Sequence, residues 1–335
     1  MREEILSIIQ KKFPLSQRPF LDIGNELGLS EDEVIKIIQK EKDNKIIRQT
    51  SAIFDTKSLG FKSSLVAFEM KEENIDKAVK IINAHPGVSH NYERDHEFNI
   101  WFTIAVDPKS KLGLEKSVAI LAELTGAENS IMLPTLKLFK ISVKLDTTGR
   151  DAKKEKVKKH VKKDIDMTAL HLDIIKLIQE DIEIKQEPFA HIINALNIDY
   201  PTLFENLNEL KEAGVMRRFA SILNHRNAGF NANAMTVWDV EEKDGEEIGK
   251  KAAAFSAVSH CYLRPKYPNW PYNLFTMIHG KTKEETNGII ADIASEIEHK
   301  AKRPLYSTRE FKKVRLKYFT PSFLEWEEKH LKDNS

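Results

Sequence analysis

The sequence predicts an α+β protein made of two tandem modules of one plan, each a run of short helices followed by an alternating strand–helix domain. Three observations carry this. The first is an internal repeat: Pro19-Phe20 and Pro188-Phe189 lie 169 residues apart, and the offset holds from Ile5/Ile174 through Gln10/Gln179, Arg48/Arg217 and Ile53/Ile222 to Gly60-Phe61/Gly229-Phe230. At offset 170, Val88-Ser89-His90-Asn91-Tyr92 matches Val258-Ser259-His260-Cys261-Tyr262, and Pro134 matches Pro304. A period this long marks whole domains rather than a solenoid. The second is a composition break at 146–166, with seven lysines between Lys153 and Lys163 and little to bury, which reads as a solvated linker. The third is the switch within each half from helical to strand periodicity.

Taken in order, Ile5, Ile8 and Ile9 have helical spacing, Pro19 opens a helix that ends near Gly28, and Ser30 with Glu33 forms a capping-box pattern ahead of Val34, Ile35, Ile37 and Ile38. With a β-prone stretch from Arg48 to Phe54, this describes a winged helix-turn-helix over 1–60. The second copy, 167–229, places helices at 168–180, 187–196 and 201–213 before a strand from Arg217 to Leu223. Residues 61–145 then predict strands at 61–70, 88–95, 99–106 and 130–144, with helices at 73–85 and 114–125. Residues 230–320 predict strands at 230–240, 257–264, 272–279 and 303–318, with helices at 244–255 and 282–298. That order is the ferredoxin-like βαββαβ unit. Helices on one face leave the other to be covered, which two halves achieve by packing sheet against sheet. Residues 321–335 read as a C-terminal tail.

Composition narrows the function. The chain has 335 residues, 41% hydrophobic and 31% charged, which suits globular domains with real cores. Lys+Arg 52 against Asp+Glu 51 gives no global field toward nucleic acid or membrane. A single cysteine, Cys261, excludes an internal disulfide framework and a thiolate-rich metal site. No signal-peptide pattern and no apolar run of bilayer length occurs, so the cytoplasm is the expected location. No G-x-G-x-x-G, P-loop, zinc-type spacing or G-x-S-x-G elbow is present. The helix-turn-helix segments are poor DNA readers by charge. Helix 30–43 carries five acids against three lysines, helix 199–213 carries four acids against Lys211, and neither holds an arginine. No DNA partner is expected.

The strongest local signal is the second strand of each sheet. Strict alternation puts Val88, His90, Tyr92 and Arg94 on one face, and Val258, His260, Tyr262 and Arg264 on the matching face. A lone strand histidine is commonly a satisfied core group, but a His-x-Tyr-x-Arg triple occurring twice points to a shared cavity between the sheets. Arg48, Arg217 and Arg218 start the wing strands, His225 lies in the turn before Gly229, and His96 follows Arg94-Asp95. Arginine forks suit carboxylates. Trp101 and Trp270, with Phe102, Tyr267, Tyr272 and Phe275, offer flat aromatic surfaces.

The segments VSHNYERDHEFNIWFTI (88–104) and LPTLKLFKI (133–141) resemble one subunit of the siroheme decarboxylases. RRFASILNHRNAGFNANAMTVW (217–238), VSHCYLRPKYPNWPYNLFTMIHG (258–280) and STREFKKVRLKYF (307–319) are similar to its partner subunit. The resemblance covers both halves apart from linker and tail, and departs from the two-subunit pattern in fusing them. It implies two Lrp/AsnC-like modules and removal of CO₂ from two ring acetates of siroheme, giving 12,18-didecarboxysiroheme on the route to haem or to a haem d1-type cofactor. It further implies that no organic cofactor is needed, since the macrocycle takes up charge, that the iron belongs to the substrate, and that haem could occupy the same site. On this reading His90 and His260 are catalytic, with Tyr92 and Tyr262 orienting them, and each histidine is open to proton donation or axial iron ligation. Arg48, Arg94, Arg217, Arg218, Arg264, His96, His225, Trp101 and Trp270 would bind substrate. The alternatives are a regulator of Lrp/AsnC type and a non-catalytic haem or siroheme carrier. Whether fused chains pair into homodimers is left open.

Overall fold

The computed structural model describes residues 1–141, 164–223 and 232–332. They form two compact units that cut across the sequence halves. Among the described residues, the first unit holds 1–61, 164–223 and 317–321, and the second holds 62–141, 232–316 and 322–332. Each unit therefore takes the equivalent parts of both halves. Most of the Lys-rich stretch lies outside the described residues, as does His225.

The first unit contains α1 (Arg2–Lys11), α2 (Pro19–Leu27), α3 (Glu31–Asp43), β1 (Ile47–Phe54), α6 (Ala169–Ile178), α7 (Ala190–Leu196), α8 (Tyr200–Glu212) and β7 (Met216–Leu223). Its helix starts are locally encoded. Ser30 and Glu33 close a capping box on α3, Thr168 and His171 close another on α6, and Asp199 accepts from the Thr202 amide to start α8. Gly28, at φ 70°, takes the left-handed turn that ends α2. The two wing strands do not form separate wings: β1 and β7 pair antiparallel with each other, Thr50 against Ser221. A ring cluster of Phe13, Phe20, Phe189 and Phe219 joins the two helical sets.

The repulsion α3 would exert on phosphate is smaller than its five acids suggest. Glu31 and Glu41 are buried and held by Arg18 and Arg2, so two of its five acids face inward already neutralised.

The second unit contains β2 (Lys62–Glu69), α4 (Ile75–Ala84), β3 (Val88–Arg94), β4 (Phe98–Val106), α5 (Gly113–Thr125), β5 (Asn129–Leu133), β6 (Lys137–Ile141), β8 (Ala232–Asp239), α9 (Gly245–Ala253), β9 (Val258–Leu263), β10 (Leu274–Gly280), α10 (Lys283–Glu296), β11 (Ala301–Lys313) and α11 (Ser322–Lys332). The strands join in the order β5-β2-β4-β3-β11-β8-β10-β9-β6. Each ferredoxin-like copy lends the end of its last strand to the other. Strand β5 pairs β2, and after Pro134-Thr135-Leu136 the chain continues as β6 on β9 of the second copy. Strand β11 pairs β8 through Tyr306 and then β3 from Ser307 onward. Completion of each sheet by its own last strand is thus replaced by a reciprocal exchange.

Three apolar clusters fix the layers. Val66, Phe68, Ile100, Phe102 and Ile104 pack beneath α4 and α5, while Ala234, Trp238, Leu274 and Ile278 pack beneath α9 and α10. The opposite faces meet in a third cluster that includes Ala67, Trp101, Leu133, Met235, Val237, Trp270, Phe275 and Leu305. The sheets pack face to face, as the fold class required.

Helix α11 replaces the expected tail. Trp326 sets its ring 4.3 Å from that of His85, and buried Glu327 accepts from Ser110 Oγ at 2.9 Å and from the Leu112 amide at the start of α5.

Candidate active site

Strand alternation alone does not place the histidines; a bulge does. Val88 lies opposite Ile104 but His90 lies opposite Thr103, and Ile278 faces Val258 where Met277 faces His260. One extra residue, Ser89 or Ser259, is absorbed at each point. Val88 and Val258 consequently join the helix-side cores, correcting their expected placement beside the histidines. His90 and Tyr92, like His260 and Tyr262, face the other sheet, with Tyr92 opposite Trp101 and Tyr262 opposite Phe275. The intervening residues point to the helices. Asn91 donates to Asn83 Oδ1 at 3.0 Å, Glu93 pairs with Arg309, and Cys261 is buried.

Each triple is a ladder. The rings of His90 and Tyr92 lie 6.3 Å apart at 27°, and those of His260 and Tyr262 lie 6.2 Å apart at 21°. The Arg94 guanidinium sits 5.6 Å from the Tyr92 ring centroid and that of Arg264 sits 4.8 Å from Tyr262. The bulge serines hold the histidines: Ser89 Oγ lies 3.0 Å from His90 Nδ1, and Ser259 Oγ lies 2.8 Å from His260 Nδ1.

The arginine ends are closed. Arg94 and Arg264 are only 5% and 8% exposed, and burial pushes each guanidinium down to about 10. Arg94 Nη1 donates to the Leu305 carbonyl at 2.8 Å, and Arg264 Nη1 donates to the Leu133 carbonyl and to Thr135 Oγ1. Leu305 and Leu133 stand just before their strands leave one copy for the other. These arginines pin the crossovers, a different placement from the open carboxylate clamps anticipated. Trp101 and Trp270 are likewise buried in the inter-sheet core, so this region is packed side chain where a cavity was anticipated. His96 is half-buried, edge-on to Trp270 at 5.3 Å, and burial lowers its pKa.

The histidine ends are only partly buried and carry residues that sequence reading passed over. Lys313 lies opposite His90 and Glu310 opposite Tyr92 across the β11–β3 ladder. Ile141 lies opposite His260 and Leu138 opposite Tyr262, and both are large exposed apolar side chains at 40% and 44%. His279 is joined to Ser259 Oγ through Nε2 at 2.6 Å and to Asn233 Oδ1 through Nδ1 at 2.7 Å. Burial, then the nearby His260 and Lys313 charges, drive the His279 pKa down to about 4. The alternation of Phe275, Met277 and His279 along one strand was the available signal for this last residue.

The remaining candidates belong to the first unit. Arg48 and Arg218 are exposed on β1 and β7. Arg217 is bound to Asp55 Oδ2 at 2.5 and 3.1 Å, which holds that carboxylate below its usual range against the opposing effect of burial. Among the described residues no cluster of His, Cys, Asp and Glu could hold a metal ion, and no helix is long and apolar enough to cross a membrane.

Fold and site together define a duplicated, AsnC-like protein in which the histidine ends of the two ladders adjoin lysine and exposed aliphatic side chains. Residues 58–140 and 227–312 match the AsnC-like ligand binding domain, and residues 2–48 and 172–217 match the siroheme decarboxylase NirDL-like HTH domain. The chain belongs to the siroheme decarboxylase family. It is similar to the siroheme decarboxylase of Hydrogenobacter thermophilus, 41% identical over 324 residues, covering 97% of this chain and 96% of that one. Among solved structures it is similar to the siroheme decarboxylase NirDL, with TM-score 0.81 and 35% identity over 99% of both chains. The same holds for NirDL in co-complex with an iron-uroporphyrin III analogue, with TM-score 0.80 and 34% identity over 99% of both chains.

Proposed function

We propose that this chain is a carboxy-lyase that removes CO₂ from two ring acetates of siroheme, yielding 12,18-didecarboxysiroheme. The observation that carries the reading is the pair of serine-held His–Tyr ladders, flanked by Lys313 on one side and by exposed Leu138 and Ile141 on the other. A flat macrocycle with acidic arms needs both kinds of neighbour: apolar side chains against its plane and cations for its carboxylates. The iron arrives with the substrate and the ring accepts charge, so no organic cofactor is invoked. The family relationship to proteins named for this reaction favours it over a DNA-binding role, and we place the activity in the cytoplasm.

In the step proposed, the bond between an acetate methylene and its carboxylate breaks, CO₂ leaves, and the electron pair stays on the methylene carbon. His90 or His260 supplies the proton that this carbon takes up, a role suited to an imidazole, whose ring nitrogens can both hold and release a proton. Because Ser89 and Ser259 engage Nδ1, the transferred proton is assigned to Nε2. Tyr92 and Tyr262 keep each ring in plane, and Arg94 and Arg264 hold the tyrosines from behind. Among the described residues, Lys313 is better placed than the buried arginines to meet a non-reacting carboxylate.

The test is anaerobic incubation of the purified chain with siroheme, followed by mass spectrometry. Two successive losses of CO₂ are expected. Siroheme bound but returned unchanged would rule the reading out in favour of a carrier.

A further inference from the structure

The two ladders match from histidine to arginine and differ behind the serine. In the first, Ser89 Oγ meets the Thr103 hydroxyl at 2.9 Å, and two hydroxyls can orient either way. In the second, the place is taken by His279, whose other nitrogen is fixed by Asn233. A carbonyl oxygen only accepts, so Asn233 Oδ1 requires a proton on His279 Nδ1. With the ring neutral, Nε2 at 2.6 Å then accepts the one proton of Ser259 Oγ in preference to the Met277 carbonyl, the other acceptor in reach, at 3.4 Å. Having spent that proton, Ser259 accepts from His260 Nδ1. Every bond in the chain therefore has a direction, from His260 through Ser259 and His279 to Asn233.

Neutrality of His279 follows from its surroundings. Among the described residues, the charged or titratable groups facing it are His260 from β9 and Lys313 from β11, both cationic or able to become so, and the contact from β8 is the neutral Asn233 amide. Burial acts in the same direction.

We propose that His279 is a positioning residue that locks His260 as the Nδ1-protonated tautomer, so that Nε2 alone gains and loses the catalytic proton there, a lock that the Ser89–Thr103 hydroxyl pair does not itself impose on the first ladder. This rests on the decarboxylase reading for its catalytic meaning but not for its geometry. The ladders are then chemically unequal, and the His260 side presents a defined lone pair or a defined N–H at one atom in either charge state.

Imidazole ¹⁵N chemical shifts of the full-length protein test the lock without substrate, with His260 assigned by its loss in His260→Gln. At pH 7.5 the expected result is a protonated Nδ1 and a bare Nε2 on His260. His279→Leu removes the acceptor and should scramble that preference, and His279→Gln, whose carbonyl can still accept from Ser259, should restore it. Should His279→Leu fail to fold, Ser259→Ala breaks the same chain one bond earlier. Thr103→Val should leave the His260 shifts unchanged. With siroheme, His279→Leu should lower kcat by about tenfold with KM unchanged, and the Gln variant should recover most of it. A protonated Nε2 on neutral wild-type His260, or shifts indifferent to His279→Leu, overturns the proposal. Loss of CO₂ by no variant, wild type included, would count against the decarboxylase reading alone, because the shifts decide the tautomer independently.

Discussion

The two histidine ladders share a bulge, a serine, a tyrosine and a buried arginine, yet the strands flanking them differ in character, although Lys313 of the first also acts on His279 behind the second. Beside the first runs β11, offering Lys313 and Glu310 to His90 and Tyr92. Beside the second runs β6, offering Ile141 and Leu138 to His260 and Tyr262. Exchange of last strands is what makes this possible, since each ladder is completed by residues of the other copy. Duplication supplied two equivalent histidine strands, and the exchange set Lys313 and Glu310 beside one and Ile141 and Leu138 beside the other. On the proposed reading, a substrate with a hydrophobic plane and an acidic rim would meet both, where a symmetric pair would present two of one kind.

The largest effect expected is from the histidines themselves. His90→Ala and His260→Ala should each lower decarboxylation by roughly 10²–10⁴, the span typical of a lost general acid, with circular dichroism unchanged because both side chains lie at the part-exposed end of their ladders. The informative comparison is between the variants. If the ladders divide the work, one variant stops before any CO₂ is lost and the other accumulates the singly decarboxylated product. Normal turnover by both would remove the histidines from the chemistry.

How far this was readable in the sequence depended on the scale of the signal. Helix caps, strand periods and the repeat are local or additive, and they located nearly every element to within a few residues. The His-Tyr-Arg triples were visible for the same reason. Reciprocal exchange of β6 and β11 was not, because one strand pairs equally well with either copy's edge as far as pattern goes. The bulge at Ser89 is hidden too, since an inserted residue shifts the alternation without changing composition, so strict alternation places Val88 on the face opposite to the one it occupies. Burial of Arg94, Arg264, Trp101 and Trp270 inverted their expected roles: residue type announced what they can bind, and only packing shows what they do bind. Lys313, Leu138 and Ile141 matter through register alone.

A second way to separate the ladders acts on stability. Gly87 precedes the first bulge, and a Cβ there would fall 1.8 Å from the Ala105 carbonyl oxygen, inside backbone that cannot swing aside. The matching position of the second copy is Ala257, so the close approach belongs to the first ladder only. Gly87→Ala should cost about 1–3 kcal/mol or more by forced displacement in a packed core, measured by denaturant unfolding. Ala257→Gly should cost about 1 kcal/mol or less, from the added freedom of the unfolded chain. Equal losses at both positions would mean that the bulges are built alike.

Acid should act on both copies with different reach. In the first, burial followed by the Lys312 and His330 charges holds His85 down to about 3, and its Nδ1 accepts from the Gly87 amide at 2.9 Å. In the second, His279 is held down to about 4. Each stays neutral in the folded state while the unfolded chain takes up a proton below about 6.5. Their stabilising contribution is therefore full above pH 6.5 and declines as pH falls, to about 4 for His279 and about 3 for His85. Denaturant midpoints across pH 3–7 should fall on the acid side, with a shallower slope in His85→Leu. A slope unchanged by that substitution would show that His85 titrates normally.

The smallest expected effect is at Lys313, and it sharpens the ionic–apolar contrast most directly. The side chain is half-exposed and 3.9 Å from Glu310, so whatever it contributes to a substrate carboxylate is screened by water. Lys313→Met should raise the KM for siroheme several-fold, corresponding to about 1 kcal/mol, with kcat little changed if, as proposed, the lysine holds an arm that does not react. The increment should shrink as salt is raised from 50 to 500 mM, since the Debye length falls to a few ångströms over that range. At the apolar ladder, Leu138→Ser should also raise KM, but by an amount that persists in high salt, because removing apolar surface from water does not depend on ionic screening. If both increments faded together with salt, the ladders would be electrostatically equivalent, and the asymmetry created by strand exchange would have no part in holding the macrocycle.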